Sequence, residues 1–275
     1  MRCRLCLQDK ELLKNSHIIP EFMYWELFDE KHRMVRTQGL DISSAKRIQS
    51  GEKESNILCQ QCDNEIIGKL EGYASRALFS GKGEDVKKIR TENQLHPDGI
   101  LTSTFCKNVD YTKFKLFLLS MLWRASISKL DFFKEVELGP KEECLRRMIF
   151  QNMPLSQLDF PCFISSFIGH NRQMTSIIIT SPRKIKNANG TRYIFQIGQF
   201  VLMYFVSKND TPIWIQDAAI TPENKMRIVH FDDKRSIEFM EAYFGSTIVQ
   251  ALQFVHGGTS PTQTNTKRTE FINSV

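Results

Sequence analysis

The chain has 275 residues, 41% of them hydrophobic and 25% charged, a composition that excludes a disordered chain and gives length enough for a sizeable core. Its formal charge of +6 is not focused: residues 1–90 hold 16 Lys and Arg against 14 Asp and Glu, and the remainder 21 against 17. This balance permits a nucleic-acid partner without arguing for one, and no apolar run reaches the roughly 18 residues of a membrane span.

The first residues, Met1-Arg2-Cys3-Arg4, run straight into a cysteine pair and leave no room for a signal peptide, so a soluble, cytoplasmic protein is expected. Residues 1–80 read as knuckle, strand, short helix, loop, knuckle, helix. Pro20 suits a first helical turn, and Phe22 to Phe28 carry apolar residues to continue it. Gly39 to Glu54 is polar and reads as a loop or short hairpin. After Cys62 a helix is expected from Asp63 to about Phe79, with Ile66, Ile67, Leu70, Tyr73, Ala74 and Ala77 at helical spacing and Asp63 as N-cap. Residues 81–110 read as a polar linker. Helices are then expected from Tyr111 to Leu130, with an apolar stripe from Phe114 to Ala125, and from Pro140 to Phe150.

Beyond that point the period changes to that of strands: Phe163–Ile168, Ser176–Thr180, Arg192–Gln196, Phe200–Val206, Ile213–Gln216 and Arg227–His230. Asn187-Ala188-Asn189-Gly190 is a hairpin turn. A closing helix is expected from Lys234 to Phe254, then a disordered tail rich in Thr. The expected fold class is α+β: a small ββα zinc module of treble-clef type over 1–80, a linker over 81–110, an α+β domain with a mainly antiparallel sheet over 111–256, and a tail over 257–275.

Seven cysteines in a chain read as intracellular argue for metal and free thiols before disulfides. Cys3-Arg-Leu-Cys6 and Cys59-Gln-Gln-Cys62 lie 52 residues apart. Each pair can set two thiolates on one side of a tight turn, as tetrahedral zinc requires, and neither is complete alone. The chain between them must therefore fold back to close one structural zinc site. Cys106, Cys144 and Cys162 have no partner at ligand spacing and read as small buried hydrophobes.

Between the two pairs stands Ser16-His17-Ile18-Ile19-Pro20. A Cys-x-x-Cys knuckle, a His-hydrophobic-hydrophobic-Pro element and a second Cys-x-x-Cys opening a helix together resemble the HNH endonucleases, over residues 1–80 only. The resemblance implies His17 as the general base that activates water against a phosphodiester. It implies Asp63, with Asn64 beside it, at the position that helps to bind a catalytic Mg²⁺ or Mn²⁺. Where the family commonly has Asp before the histidine this chain has Ser16. At the family's middle asparagine it has Glu54, and the nearest candidate is Asn56. The basic residue often found soon after the last cysteine is displaced to Lys69.

The chemistry stands on its own terms: histidine supplies a base near neutral pH, a hard cation balances charge on the scissile phosphate, and Mg²⁺ accepts carboxylate, amide carbonyl and water ligands. By resemblance such modules occur in microbial mobile-element and phage-defence systems, often beside an ATPase. DNA is then the expected substrate, with an ATPase or another protein as partner. The alternative reading is a catalytically silent zinc module acting as a nucleic-acid or protein adaptor. In that reading His17 fixes the knuckle, Asp63 is a plain N-cap and Glu71 a solvated carboxylate. No phosphate-cradling glycine loop and no nucleophile elbow occurs. Two basic clusters, Lys87-Lys88-Ile89-Arg90 and Arg183-Lys184-Ile185-Lys186, read as solvated turns. In the Trp123-Arg124 pair, Trp123 suits core packing and Arg124 a clamp on an acidic partner. His170, with Asn171 after a strand, reads as structural.

Overall fold

The computed structural model describes residues 1–38, 41–169, 178–187, 190–207 and 211–244. The element order is β1 (Ser16–His17), a 3₁₀ turn (Glu21–Leu27), β2 (Met34–Gln38), β3 (Asp41–Ile48) and β4 (Lys53–Glu54). Next comes one long helix in three parts: a π-helical opening (Gln61–Ile67), α1 (Gly68–Ser75) and a π-helical end (Arg76–Ser80). Then follow β5 (Arg90–Leu95), β6 (Leu101–Lys107), α2 (Tyr111–Ile127) and α3 (Lys141–Phe150). The C-terminal part holds β7 (Cys162–Phe167), β8 (Ile178–Thr180), β9 (Arg183–Asn187), β10 (Gly190–Ile197), β11 (Phe200–Phe205), α4 (Ile213–Ala218), β12 (Lys225–Phe231) and α5 (Asp233–Phe244).

The expected mixed architecture with a mostly antiparallel sheet is present. Ten strands form one sheet in the order β3-β2-β8-β10-β11-β7-β12-β6-β5, with β9 paired to β10 off this path. Among the described residues, only the β12–β7 and β2–β8 pairings run parallel. Strands from residues 34–48 and 90–107 thus share the sheet with those of 162–231.

The apolar run from Ile194 to Val206 is the hairpin β10–β11, and its continuity has a physical cause: both faces of the sheet are covered. Alternate residues Ile194, Val201, Met203 and Phe205 join Phe163, Phe167 and Phe231 under α4 and α5. Phe195, Ile197, Leu202 and Tyr204 point the other way, into a larger core that also holds α2, α3 and the apolar residues of 1–80. No helix among the described residues is long and apolar enough to cross a membrane.

Three local expectations are corrected. Residues 81–110 contain the β5–β6 hairpin, paired from Arg90↔Lys107 to Leu95↔Leu101, rather than an irregular connection. Of the loop or short hairpin expected over Gly39 to Glu54, the described residues show the hairpin: Asp41–Ile48 is β3, antiparallel to β2, and Lys53–Glu54 is β4. Ile213–Gln216 is helical, not extended: Pro212 precedes the first turn, and Ile215 and Ala218 are buried at helical spacing while Ile213 is 78% exposed. Instead of a one-sided stripe, α2 is buried almost all round, including Lys115, Ser120 and Arg124, because it lies between α1, α3 and the sheet. The closing helix is seen as α5. The centre of the 187–190 turn, His170, Asn171, the end of the expected helix and the tail fall outside the described residues, although Asn187 and Gly190 do pair as hairpin neighbours. Cys106 and Cys162 are buried free thiols and Cys144 is half-buried.

Candidate metal centre and the His17 cluster

The first knuckle is a tight turn closed by Cys3 N–H to the Gln8 carbonyl at 2.9 Å and Leu7 N–H to the Cys3 carbonyl at 3.0 Å, with Leu7 in the left-handed region at φ 60°. The second is laid beside it by main-chain bonds: Arg4 N–H to the Ile57 carbonyl at 2.9 Å, Leu13 N–H to Leu58 at 2.8 Å and Asn56 N–H to Leu13 at 2.9 Å. These bonds bring the sulfurs of Cys3, Cys6, Cys59 and Cys62 within 4.8 Å of one another. Four thiolates around zinc at about 2.3 Å stand roughly 3.8 Å apart, so the donor set and its spread fit a structural zinc ion.

Among the shifted thiols of the cluster, the electrostatics favour the thiolate at Cys3. Burial opposes ionisation of Cys3, yet the surrounding N–H groups of Cys6, Cys59 and Leu5 outweigh it and bring its pKa down to about 7. One of these, Cys59 N–H, lies 3.4 Å from Cys3 Sγ. Cys59 and Cys62 are held above the ordinary thiol value, first by burial and then by the adjacent Cys3. A cation is what such a cluster needs to carry several thiolates together.

The same cysteines bring a second group of side chains together. The chain leaves the first knuckle into β1, which pairs with β4 in the register Ser16↔Glu54 and His17↔Lys53. It leaves the second knuckle into the long helix, where Asp63 N–H bonds back to the Cys59 carbonyl at 3.0 Å. His17 and Asp63, far apart in sequence, thereby come within each other's electrostatic reach. Burial lowers the His17 pKa, with Lys53 and Arg124 acting the same way and Glu21 and Asp63 against. Burial raises that of Asp63, opposed by Arg124, Ser16 and His17. The Ser16 hydroxyl is fully buried and its dipole favours the Asp63 carboxylate, but it forms no well-aligned hydrogen bond of its own.

Two further participants complete the group: Glu71, expected at the surface, and Arg124, expected to clamp an acidic partner. Glu71 is no solvated carboxylate: it is largely buried, pairs with Arg124 at 2.7 Å and has a raised pKa, chiefly through burial. Glu71 lies eight residues beyond Asp63, which in a regular α-helix leaves the two about 80° apart. The helix opens instead with i→i+5 bonding, as Gly68 N–H to the Asp63 carbonyl shows. That wider turn takes up most of the offset and sets both carboxylates on the face toward β1. Arg124 is 1% exposed. Its Nη1 donates to the His17 carbonyl at 2.6 Å, its Nε to the Ser120 carbonyl at 3.2 Å and its Nη2 to Ser120 Oγ at 3.4 Å. One guanidinium therefore ties together β1, the long helix and α2. A lone arginine inside the most apolar helix of the chain was the available signal for it.

The other sequence candidates lie elsewhere. Asn56 is exposed at φ 63°, a left-handed position that Asn tolerates well, and its main chain serves the knuckle. Asn64 is on the exposed side of the helix. Glu54 turns toward the end of α2, accepting from Ser128 Oγ at 2.5 Å and Lys129 N–H at 3.1 Å. No family model, curated protein or solved structure matches the chain.

Proposed function

We propose that this protein is a zinc-scaffolded, HNH-like endonuclease of ββα type that hydrolyses DNA phosphodiesters with a divalent cation. The observation that carries this reading is the approach of His17 and Asp63 to within electrostatic reach of each other, from β1 and from the long helix, each of which springs from a cysteine knuckle. His17 is kept neutral by burial and by Lys53, which suits a base that takes a proton from water near neutral pH. Asp63 and the orphaned Ser16 hydroxyl present oxygen donors side by side, the donor type that Mg²⁺ or Mn²⁺ prefers. Such a cation, when bound, balances the charge that develops on the phosphate. Glu71 is taken by Arg124, so the carboxylates left to act on His17 among the described residues are Glu21 and Asp63, of which Asp63 is the half-buried one. The test is cleavage of supercoiled plasmid with Mg²⁺ or Mn²⁺. Wild type should nick it, and His17→Ala should lower the rate at least a hundredfold. Equal nicking by both removes His17 from the mechanism.

The second reading, a silent zinc module serving as an adaptor for nucleic acid or protein, rests on one observation. The cationic Arg124 and Lys53 already flank His17, and Asn56 and Asn64, the other expected ligands, are exposed elsewhere. Absence of nicking by the wild type, with the cysteine site zinc-loaded, favours it. A cytoplasmic protein of phage defence with an ATPase partner fits either reading.

A further inference from the structure

Of the basic cluster 87–90, only part is a solvated turn. Lys87 pairs with Glu84 at the surface, but Lys88 and Arg90 line an open cavity of about 660 Å³ between the 83–90 segment, the start of α2 and the 221–224 turn. A cleft of that size takes a small-molecule ligand up to nucleotide dimensions.

The charge balance of its lining is one-sided. Both acidic residues in the wall are neutralised in place. Asp85 is held by Arg76 at 2.5 and 3.1 Å. Asp110 accepts from Lys113 N–H at 2.9 Å and pairs with Lys113 Nζ at 3.1 Å. Lys88 and Arg90 have no carboxylate partner among the described residues. Arg90 turns only Nη1 onto its own main chain, at 2.9 Å from the Lys87 carbonyl and 3.2 Å from that of Ile89, which leaves the rest of its fork free. The walls are braced as well. Asn108 Nδ2 donates to the Lys88 carbonyl at 2.9 Å, and Asn224 Oδ1 accepts from Tyr111 N–H at 3.0 Å. The second basic cluster is a built-in contrast: Lys184 pairs with Glu137 at 3.0 Å, and Arg183 faces Glu135 at 3.7 Å.

We propose that this cavity is a binding site for a phosphate-bearing ligand, with Lys88 and Arg90 as its cationic contacts. Two uncompensated cations of different shape, a point charge and a planar fork, suit a polyanion with several acceptor oxygens better than a single carboxylate. With no glycine-rich phosphate loop in the chain, side chains carry the recognition. The site is distinct from the His17 cluster and independent of the nuclease reading.

The test is calorimetric titration of the full-length, zinc-loaded protein with inorganic pyrophosphate at low ionic strength, and in parallel with a short DNA duplex, to separate a free phosphate ligand from a nucleic-acid backbone. Expected is saturable binding of one of the two that weakens with added salt. It should fall at least tenfold in Lys88→Ala/Arg90→Ala and less than twofold in Lys184→Ala/Lys186→Ala, which removes the same charge elsewhere. Lys88, Arg90 and Lys186 are exposed and Lys184 is half-buried, so a thermal melt of each variant checks that it is folded. No saturable binding of either probe, or equal loss in the two variants, overturns the site.

Discussion

Arg124 brings a full charge into a helix whose neighbouring positions are Leu122, Trp123 and Ala125, all buried, and its hydrogen bonds to Ser120 and His17 with its ion pair to Glu71 are what make this tolerable. Removing one member of a buried pair strands the other, so Arg124→Met should destabilise the protein by about 3 kcal/mol in urea denaturation. Arg124→Met/Glu71→Leu should regain most of that loss, because the stranded carboxylate is gone. If the double variant is no more stable than the single one, the guanidinium acts mainly through its bond to His17. Gly51 is a second single-residue constraint. A Cβ there would lie 2.1 Å from the buried Tyr24 ring, whose hydroxyl accepts from Glu52 N–H at 3.3 Å and so positions the strand opposite His17. Gly51→Ala should cost about 2 kcal/mol through overpacking, read as a lowered urea midpoint.

At the scale of elements, what sequence patterning reached were the strongly periodic ones: α2, α3, β7, β10, β11 and the helix after Cys62. The misses have separate causes. The β5 residues are all exposed, so an edge strand of mixed polar residues shows no apolar alternation to read. Ile213-Trp214-Ile215 reads as a strand by composition, and only Pro212 and the burial of Ala218 mark it as helical. The aligned Asp63 and Glu71 depend on π-helical bonding that no 3.6-residue pattern contains. His230 of β12 joins three strands: its Nδ1 lies 2.7 Å from Ser166 Oγ on β7 and its Nε2 2.8 Å from Thr104 Oγ1 on β6. Burial lowers its pKa below the free-histidine value. The unfolded chain therefore binds the proton more tightly, so the contribution of His230 is complete above about pH 6.5 and declines as pH falls below it. Between pH 7.5 and 5.0 the wild-type Tm should fall further than that of His230→Asn. Parallel curves would show that His230 is not a source of acid lability.

The whole molecule does not divide at the linker as the composition suggests. Ile19, Phe22, Tyr24 and Tyr73 from the first 80 residues belong to the same core as Phe117, Met121 and Tyr204, and Arg146 Nη1 from α3 donates to the Leu5 carbonyl at 2.6 Å inside the first knuckle. Structural zinc sites contribute on the order of 10 kcal/mol of folding free energy near pH 7. Cys62→Ser should therefore abolish stoichiometric zinc and lower the stability of the entire chain as one transition by calorimetry, with residues 1–80 the first to be cut by protease. Two separate transitions would restore an independent domain after residue 110. The central claim, that the cysteine site exists to hold His17 and Asp63 around a catalytic cation, is tested most directly by anomalous diffraction from crystals of the zinc-loaded protein soaked in Mn²⁺. Zinc at the four cysteines and manganese beside Asp63, within reach of His17 through one water, is the predicted result. Zinc at the cysteines with no manganese at the His17 cluster would contradict it.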